Sequence, residues 1–222
     1  MGNYFIVLIE TASNQRTIFQ TNRLRENLGA SELIHRVGTR YVLEALRYDG
    51  SLASRPSDFD SFLQKQPRIE GSAEPVAVEI VVATSGKAIL IVGSADVEKA
   101  RARAKAIVAE VTRLTLMDSP GVTARGAIVE LVTADTQTPV DAGHLDHAIY
   151  LAHLRLDELA SLLPSNDLRF PRLPFVEDCA SSGMPASEEW TENEPKGAIA
   201  APLAARRRAY EGARERLLGA LD

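Results

Sequence analysis

The sequence predicts an α+β protein whose strands and helices follow the order βαββαβ, with a helical, proline-rich extension behind them. Three observations carry this expectation. Short apolar runs rich in β-branched residues alternate with longer stretches whose apolar residues recur every three or four positions. Two of the apolar runs are separated only by a short turn. Strand signals stop at Pro139, and six of the eleven prolines fall between residues 164 and 202.

The first run, Tyr4 to Ile9, has the composition of a strand buried on both faces. From Ile18 to Leu46, Leu24, Leu28, Leu33, Ile34, Val37, Tyr41, Val42 and Leu46 make an amphipathic helical stripe. Gly29-Ala30-Ser31 is expected to interrupt it, with Ser31 as N-cap of a second helix of about four turns. Residues 49–75 hold turn formers (Gly50, Pro56, Pro67, Gly71, Pro75) around a short helical piece near Phe59, Phe62 and Leu63. Val76 to Ala83 and Ala88 to Val92 read as a hairpin joined by Thr84-Ser85-Gly86-Lys87. Asp96 to Leu114 is helical and is stopped by Asp118-Ser119-Pro120-Gly121, and Ala127 to Val132 is the last strand. Residues 1–138 therefore fit a ferredoxin-like arrangement, an antiparallel four-stranded sheet with helices on one face.

Residues 139–222 form the extension. A third amphipathic helix runs from Leu145 to Leu163 and ends at Pro164; mostly irregular chain, residues 164–202, follows with an acidic cluster from Glu188 to Glu194; a last helix spans roughly Leu203 to Leu221. The helical pattern is still running at the last residue, so the chain is expected to continue into a longer polypeptide.

Composition narrows the function classes. With 222 residues, 45% apolar content and a mean hydropathy of −0.09, the chain can bury a core, which excludes a disordered tail or a membrane protein. The formal charge of −5 supplies no global field for nucleic acid, so any nucleotide contact needs a local basic patch. Cys179 is the only cysteine, which excludes a disulfide framework and an all-cysteine zinc site and points to the cytoplasm. Met1 to Tyr4 lead into the first strand without a basic leader, and no apolar stretch reaches the roughly 20 residues of a membrane span.

Several motifs stand in a telling order: Gln15-Arg16-Thr17-Ile18-Phe19, Asn22, Leu24-Arg25-Glu26, Gly29-Ala30-Ser31, the hairpin, Pro120-Gly121 after the following helix, and Cys179-Ala180-Ser181-Ser182-Gly183-Met184-Pro185-Ala186. Together they resemble a palm domain, second-palm-like, of the polymerase-like large subunit of type III CRISPR effector complexes, over most of the chain. The resemblance implies a cytoplasmic role in prokaryotic antiviral defence. It also implies a nucleotide cleft, with Gln15, Asn22, Arg25, Ser31, Ser85, Gly86 and Lys87 as candidate nucleotide-binding residues.

An active palm carries Gly-Gly-Asp-Asp in the hairpin turn, and those carboxylates, with an acid on the first strand, hold two divalent ions. Here the turn has no carboxylate. Lys87 repels a cation, and Glu10, the vestigial acid, cannot replace the missing ligands. No catalytic residue and no metal site is expected. Cys179 has lost its partner at Ser182, and His144, His147 and His153 on the third helix read as a solvated face. Arg206-Arg207-Arg208 reads as a solvated stripe or a docking edge. Arg16, Arg23, Arg25, Arg36, Arg40 and Arg47 give the first helical region a local positive surplus suited to phosphate.

The expected function is a catalytically silent palm that binds a nucleotide, ATP by the resemblance, or acts as a scaffold. One alternative is half of a composite oligoadenylate synthase or nucleotide cyclase site, with Mg²⁺ only if a partner palm supplies the acids; another is a pure interaction module. The expected partner is a second palm, either another copy or a downstream domain, meeting the first helix pair and the 84–87 turn, within a possible RNA-containing effector complex. No membrane partner is expected.

Overall fold

The computed structural model describes residues 3–54, 56, 59–69, 77–131, 142–162, 170–192 and 196–219. The expected 138/139 boundary, the ends of the predicted elements at Val76, Val132, Leu163 and Leu221, and part of the acidic cluster lie outside the described residues.

Strand β1 (Asn3–Ala12) lies between β3 (Lys87–Ser94) and β4 (Thr123–Leu131), and β2 (Val78–Thr84) pairs with the outer side of β3. Every pairing is antiparallel and the order is β2-β3-β1-β4. Phe5 to Ile9 are buried without interruption because both faces of β1 are covered. Phe5, Val7 and Ile9 face helices α2 (Leu24–Gly38), α3 (Arg40–Tyr48) and α5 (Val97–Asp118), meeting Leu33, Val37, Val42 and Ile107. Ile6 and Leu8 face the other way, with Ile89, Ile91, Ala127 and Val129, onto Ala148, Ala152 and Leu156 of α6 (Ala142–Leu162). Helices thus cover both faces of the sheet. The expectation of helices on one face is corrected, because the alternation of β1 leaves two apolar faces and the apolar stripe of α6 closes the second.

Two local expectations also change. The first helical region divides into α1 (Asn14–Ile18), α2 and α3, and α2 runs straight through Gly29-Ala30-Ser31 to break at Thr39. Ser31 is therefore a half-buried residue inside α2 and not an N-cap. Gly29 serves close approach: a Cβ there would lie 1.8 Å from the Arg206 carbonyl oxygen on α7 (Ala201–Gly219). Second, strand structure does not stop at Pro139: residues 164–202, expected to be mostly irregular, contain more of it. A two-stranded ribbon of β5 (Glu188–Trp190) and β6 (Gly197–Ile199) packs Trp190 and Ile199 with Cys179, Leu203 and Ala204.

Other elements form for local reasons that the sequence declares. Asp96 caps α5, its Oδ1 accepting from the amides of Glu98 at 2.9 Å and Lys99 at 3.2 Å. The short helix α4 (Phe59–Lys65) leads to Gln66, whose side chain accepts from Ile80 N–H at 2.8 Å and donates to the Ile80 carbonyl at 2.7 Å. That amide satisfies the outer edge of β2 where its register shifts.

Candidate functional site

The C-terminal end of β1 meets the hairpin turn. Ser85-Gly86 forms the turn, with Gly86 at φ 73°, and Lys87 is already the first residue of β3. Gly86 is confined: a Cβ would come within 2.3 Å of Thr11 Oγ1 and 2.9 Å of the Ile34 methyl group. The Gly86 carbonyl accepts from the Thr11 amide at 2.8 Å, which anchors the turn to β1. Ser13, left-handed at φ 57°, bends the chain from β1 into α1 and brings Asn14 beside Gly86. A non-glycine residue in that conformation stores about 1–3 kcal/mol of strain.

Register places Glu10 opposite Lys87 on one side and Arg125 on the other. All three lie on the face that α6 covers. Lys87 Nζ sits 2.8 Å from Glu10 Oε1 and 3.1 Å from His153 Nε2, while His153 Nδ1 lies 3.6 Å from the same carboxylate oxygen. The Glu10 carboxylate is thereby engaged by an ammonium and an imidazole. A divalent ion does not fit this set, since Glu10 is its only carboxylate and a cation already occupies the position beside it. Among the described residues no group of His, Cys, Asp and Glu has metal-binding geometry. His153 belongs to this cluster and not to a solvated face, whereas His144 is half-buried and His147 exposed.

The other candidate residues spread along α1 and α2. Gln15, Asn22 and Ser85 are exposed. Arg25 turns toward α7, its guanidinium 5.1 Å from the centre of the Tyr210 ring and 3.9 Å from the Glu211 carboxylate. Ser31 is on the same helix, two turns on. The structure thus brings Glu10, Gly86 and Lys87 together and leaves Arg25 in a different contact.

The interface between α2 and α7 carries the feature that sequence reasoning missed. Arg206 and Arg207 are 2% and 4% exposed, which corrects the solvated-stripe expectation for these two. Arg207 donates from Nε and Nη2 to Glu26 Oε1 at 3.0 and 2.8 Å and lies over the Trp190 ring. Arg206 donates to Gln20 Oε1 at 2.7 Å; burial pushes its guanidinium down to about 10, which still leaves it charged at neutral pH. Arg208 remains on the exposed side, paired with Glu188. Arg216 pairs with Glu32 at 2.8 Å farther along α7. Gly29 was a signal for this contact, but it reads equally well as a turn.

Near α7, the 179–186 loop keeps a tight shape without a second cysteine. Cys179 N–H donates to the Met184 carbonyl at 2.8 Å, and Gly183 N–H donates to the Cys179 carbonyl at 2.8 Å. Burial pushes the thiol up, but hydrogen bonds from the Ser182 side chain and from the backbone of Ala200, Ser181 and Ser182 outweigh it and leave the thiol below its ordinary value.

Among the described residues no helix is long and apolar enough to cross a membrane. The chain matches no protein-family model and no curated protein to a significant degree.

Proposed function

We propose that this chain is a catalytically silent, ferredoxin-like palm that serves as a cytoplasmic scaffold in prokaryotic antiviral defence. The observation that carries the silent part is the 2.8 Å contact between Lys87 and Glu10, with His153 against the same carboxylate. An ammonium there supplies the positive charge that a metal would supply, but it is no Lewis acid and cannot activate a hydroxyl as a bound metal does. The strand order β2-β3-β1-β4 supports a palm architecture, and the motif resemblance supports the defence role. The scaffold part is favoured over nucleotide binding because Lys87 and Arg25, the cations meant for phosphate, are spent on Glu10 and on Tyr210 and Glu211.

The test is incubation of purified protein with ATP and Mg²⁺ or Mn²⁺, followed by ion-exchange chromatography, together with calorimetric titration of ATP. No oligoadenylate and no heat of binding are expected. Product formation would overturn the silent reading, and ATP binding without product would return the nucleotide-binding form of it.

One observation favours the composite half-site as a second reading: Gln15 and Ser85 face solvent close to Asn14, whose Oδ1 is buried without a hydrogen-bond partner among the described residues. Stimulation of an acid-bearing palm by addition of this chain would support it.

A further inference from the structure

The two edges of the sheet are treated differently. At the β2 edge, the Gln66 side chain occupies both the N–H and the carbonyl of Ile80, so a further strand is blocked there. At the other edge β4 pairs only with β1 among the described strands, and alternate residues of an antiparallel edge strand turn their N–H and carbonyl groups outward. A groove of about 390 Å³ runs along this edge between α5 and α6. It is lined by Gly126, Ala127 and Ile128 of β4, by Arg101 and Lys105 from α5 and by Arg155 from α6. Glu130 is the acid in the lining, and Arg101 lies 3.5 Å from it. Lys105 and Arg155 have no ion-pair partner among the described residues.

From this arrangement we infer that the groove along β4 receives an acidic, extended segment of a partner protein, which adds to the sheet as a fifth strand. The edge offers the backbone ladder. Successive side chains of an added strand point to opposite faces, so one set would face Arg101 and Lys105 and the other Arg155. Carboxylates at those positions match the cations on each wall. A polynucleotide fits less well, because the aromatic ring in the lining, Phe5, is buried at 3% exposure with Arg101 over it and is unable to stack on a base. This inference is independent of the palm reading.

The experiment uses the whole chain and a fluorescein-labelled peptide repeating Val-Val-Glu-Glu, which sets glutamates on both faces of the added strand, read by fluorescence anisotropy. Two altered probes accompany it: the same peptide N-methylated at alternate residues, which cannot complete a ladder, and a valine–lysine peptide. Saturable binding of the first probe, with at least a tenfold loss for each altered probe, is expected. Lys105→Glu with Arg155→Glu should weaken binding tenfold or more while the circular dichroism spectrum is unchanged. Equal binding of the N-methylated probe would overturn strand addition. Equal binding of the lysine probe, tighter binding of oligouridylate, or no binding of the acidic peptide would overturn the acidic-strand assignment, and these outcomes do not depend on how the variant folds.

Discussion

Arg207 and Glu26 form an ion pair in which both side chains are almost fully withdrawn from water, 4% and 1% exposed, with Nη2 to Oε1 at 2.8 Å. The pair joins helices separated by most of the chain length, and Trp190 closes over the guanidinium at 5.4 Å. Desolvating two charges is costly, so such a pair contributes registry between α2 and α7 more than net stability. Glu26→Gln or Arg207→Met alone should therefore cost about 3–5 kcal/mol, because each strands the other charge. The double variant Glu26→Leu with Arg207→Met should recover at least half of that loss in urea denaturation. A double variant no more stable than the single variants would show that the pair stabilises the fold in itself, and losses that simply add would show that the two side chains are not coupled.

Gly29→Ala distinguishes close approach from chain reversal. Alanine is about 1 kcal/mol better than glycine in a helix interior. Yet its Cβ would meet the Arg206 carbonyl oxygen at 1.8 Å, and backbone atoms cannot rotate away. The helices must separate, at a cost of about 1–3 kcal/mol or more for overpacking. A net fall in thermal midpoint is expected. Gly38→Ala should fall in the same way, since its Cβ would lie 2.0 Å from the Thr84 carbonyl oxygen at the hairpin turn.

These two glycines also mark how far the sequence could be read. The strands were legible because Tyr4–Ile9 and Ala88–Val92 are short and β-branched, and α5 because Asp96 declares its cap. Gly29 carried no such sign: a glycine required by a neighbouring helix and one required by a bend look alike until the neighbour is placed. Arg206-Arg207 misled for a related reason. Charge in sequence signals solvent, and only the long-range partner Glu26 makes burial affordable. The amphipathic stripe of α6 was visible, but its destination on the second face of the sheet depended on which way Ile6 and Leu8 point. The Glu10–Lys87 contact is set wholly by strand register, which single-sequence reading does not supply.

His35 gives the α2–α7 interface a pH dependence. Burial lowers the imidazole below its ordinary value of 6.5, Arg216 and Arg36 lower it further, and Glu32 opposes them. The folded state therefore binds the proton less well than the unfolded state. Stability from this group is fully present above about pH 6.5 and is lost as the pH falls through the lower folded value. Urea midpoints measured between pH 7.5 and 5 should decline, and His35→Gln should flatten that part of the profile. An unchanged slope in the variant would assign the decline to other groups.

Carboxylates introduced into the turn should not create the metal chemistry of an active palm, for reasons the geometry makes specific. Lys87→Asp would place a carboxylate opposite Glu10 on the face covered by α6, where His153 already lies 3.6 Å from Glu10. Two acids there repel one another unless a cation enters, so Mg²⁺ should raise the thermal midpoint of this variant more than that of the parent chain. Gly86→Asp is worse. Position 86 has φ 73°, and its Cβ would press within 2.3 Å of Thr11 Oγ1, so the turn must move and the Thr11–Gly86 hydrogen bond with it. Catalytic groups need placement to within about 0.5 Å, and a displaced turn cannot provide that. Lys87→Asp with Gly86→Asp is therefore expected to be less stable than Lys87→Asp alone and to form no oligoadenylate from ATP with Mg²⁺ or Mn²⁺. Chromatography of the reaction and a denaturation curve for each variant check both halves. Product from the double variant would show that the turn tolerates a side chain at 86 and that the metal site lies closer to function than the Lys87–Glu10 contact implies.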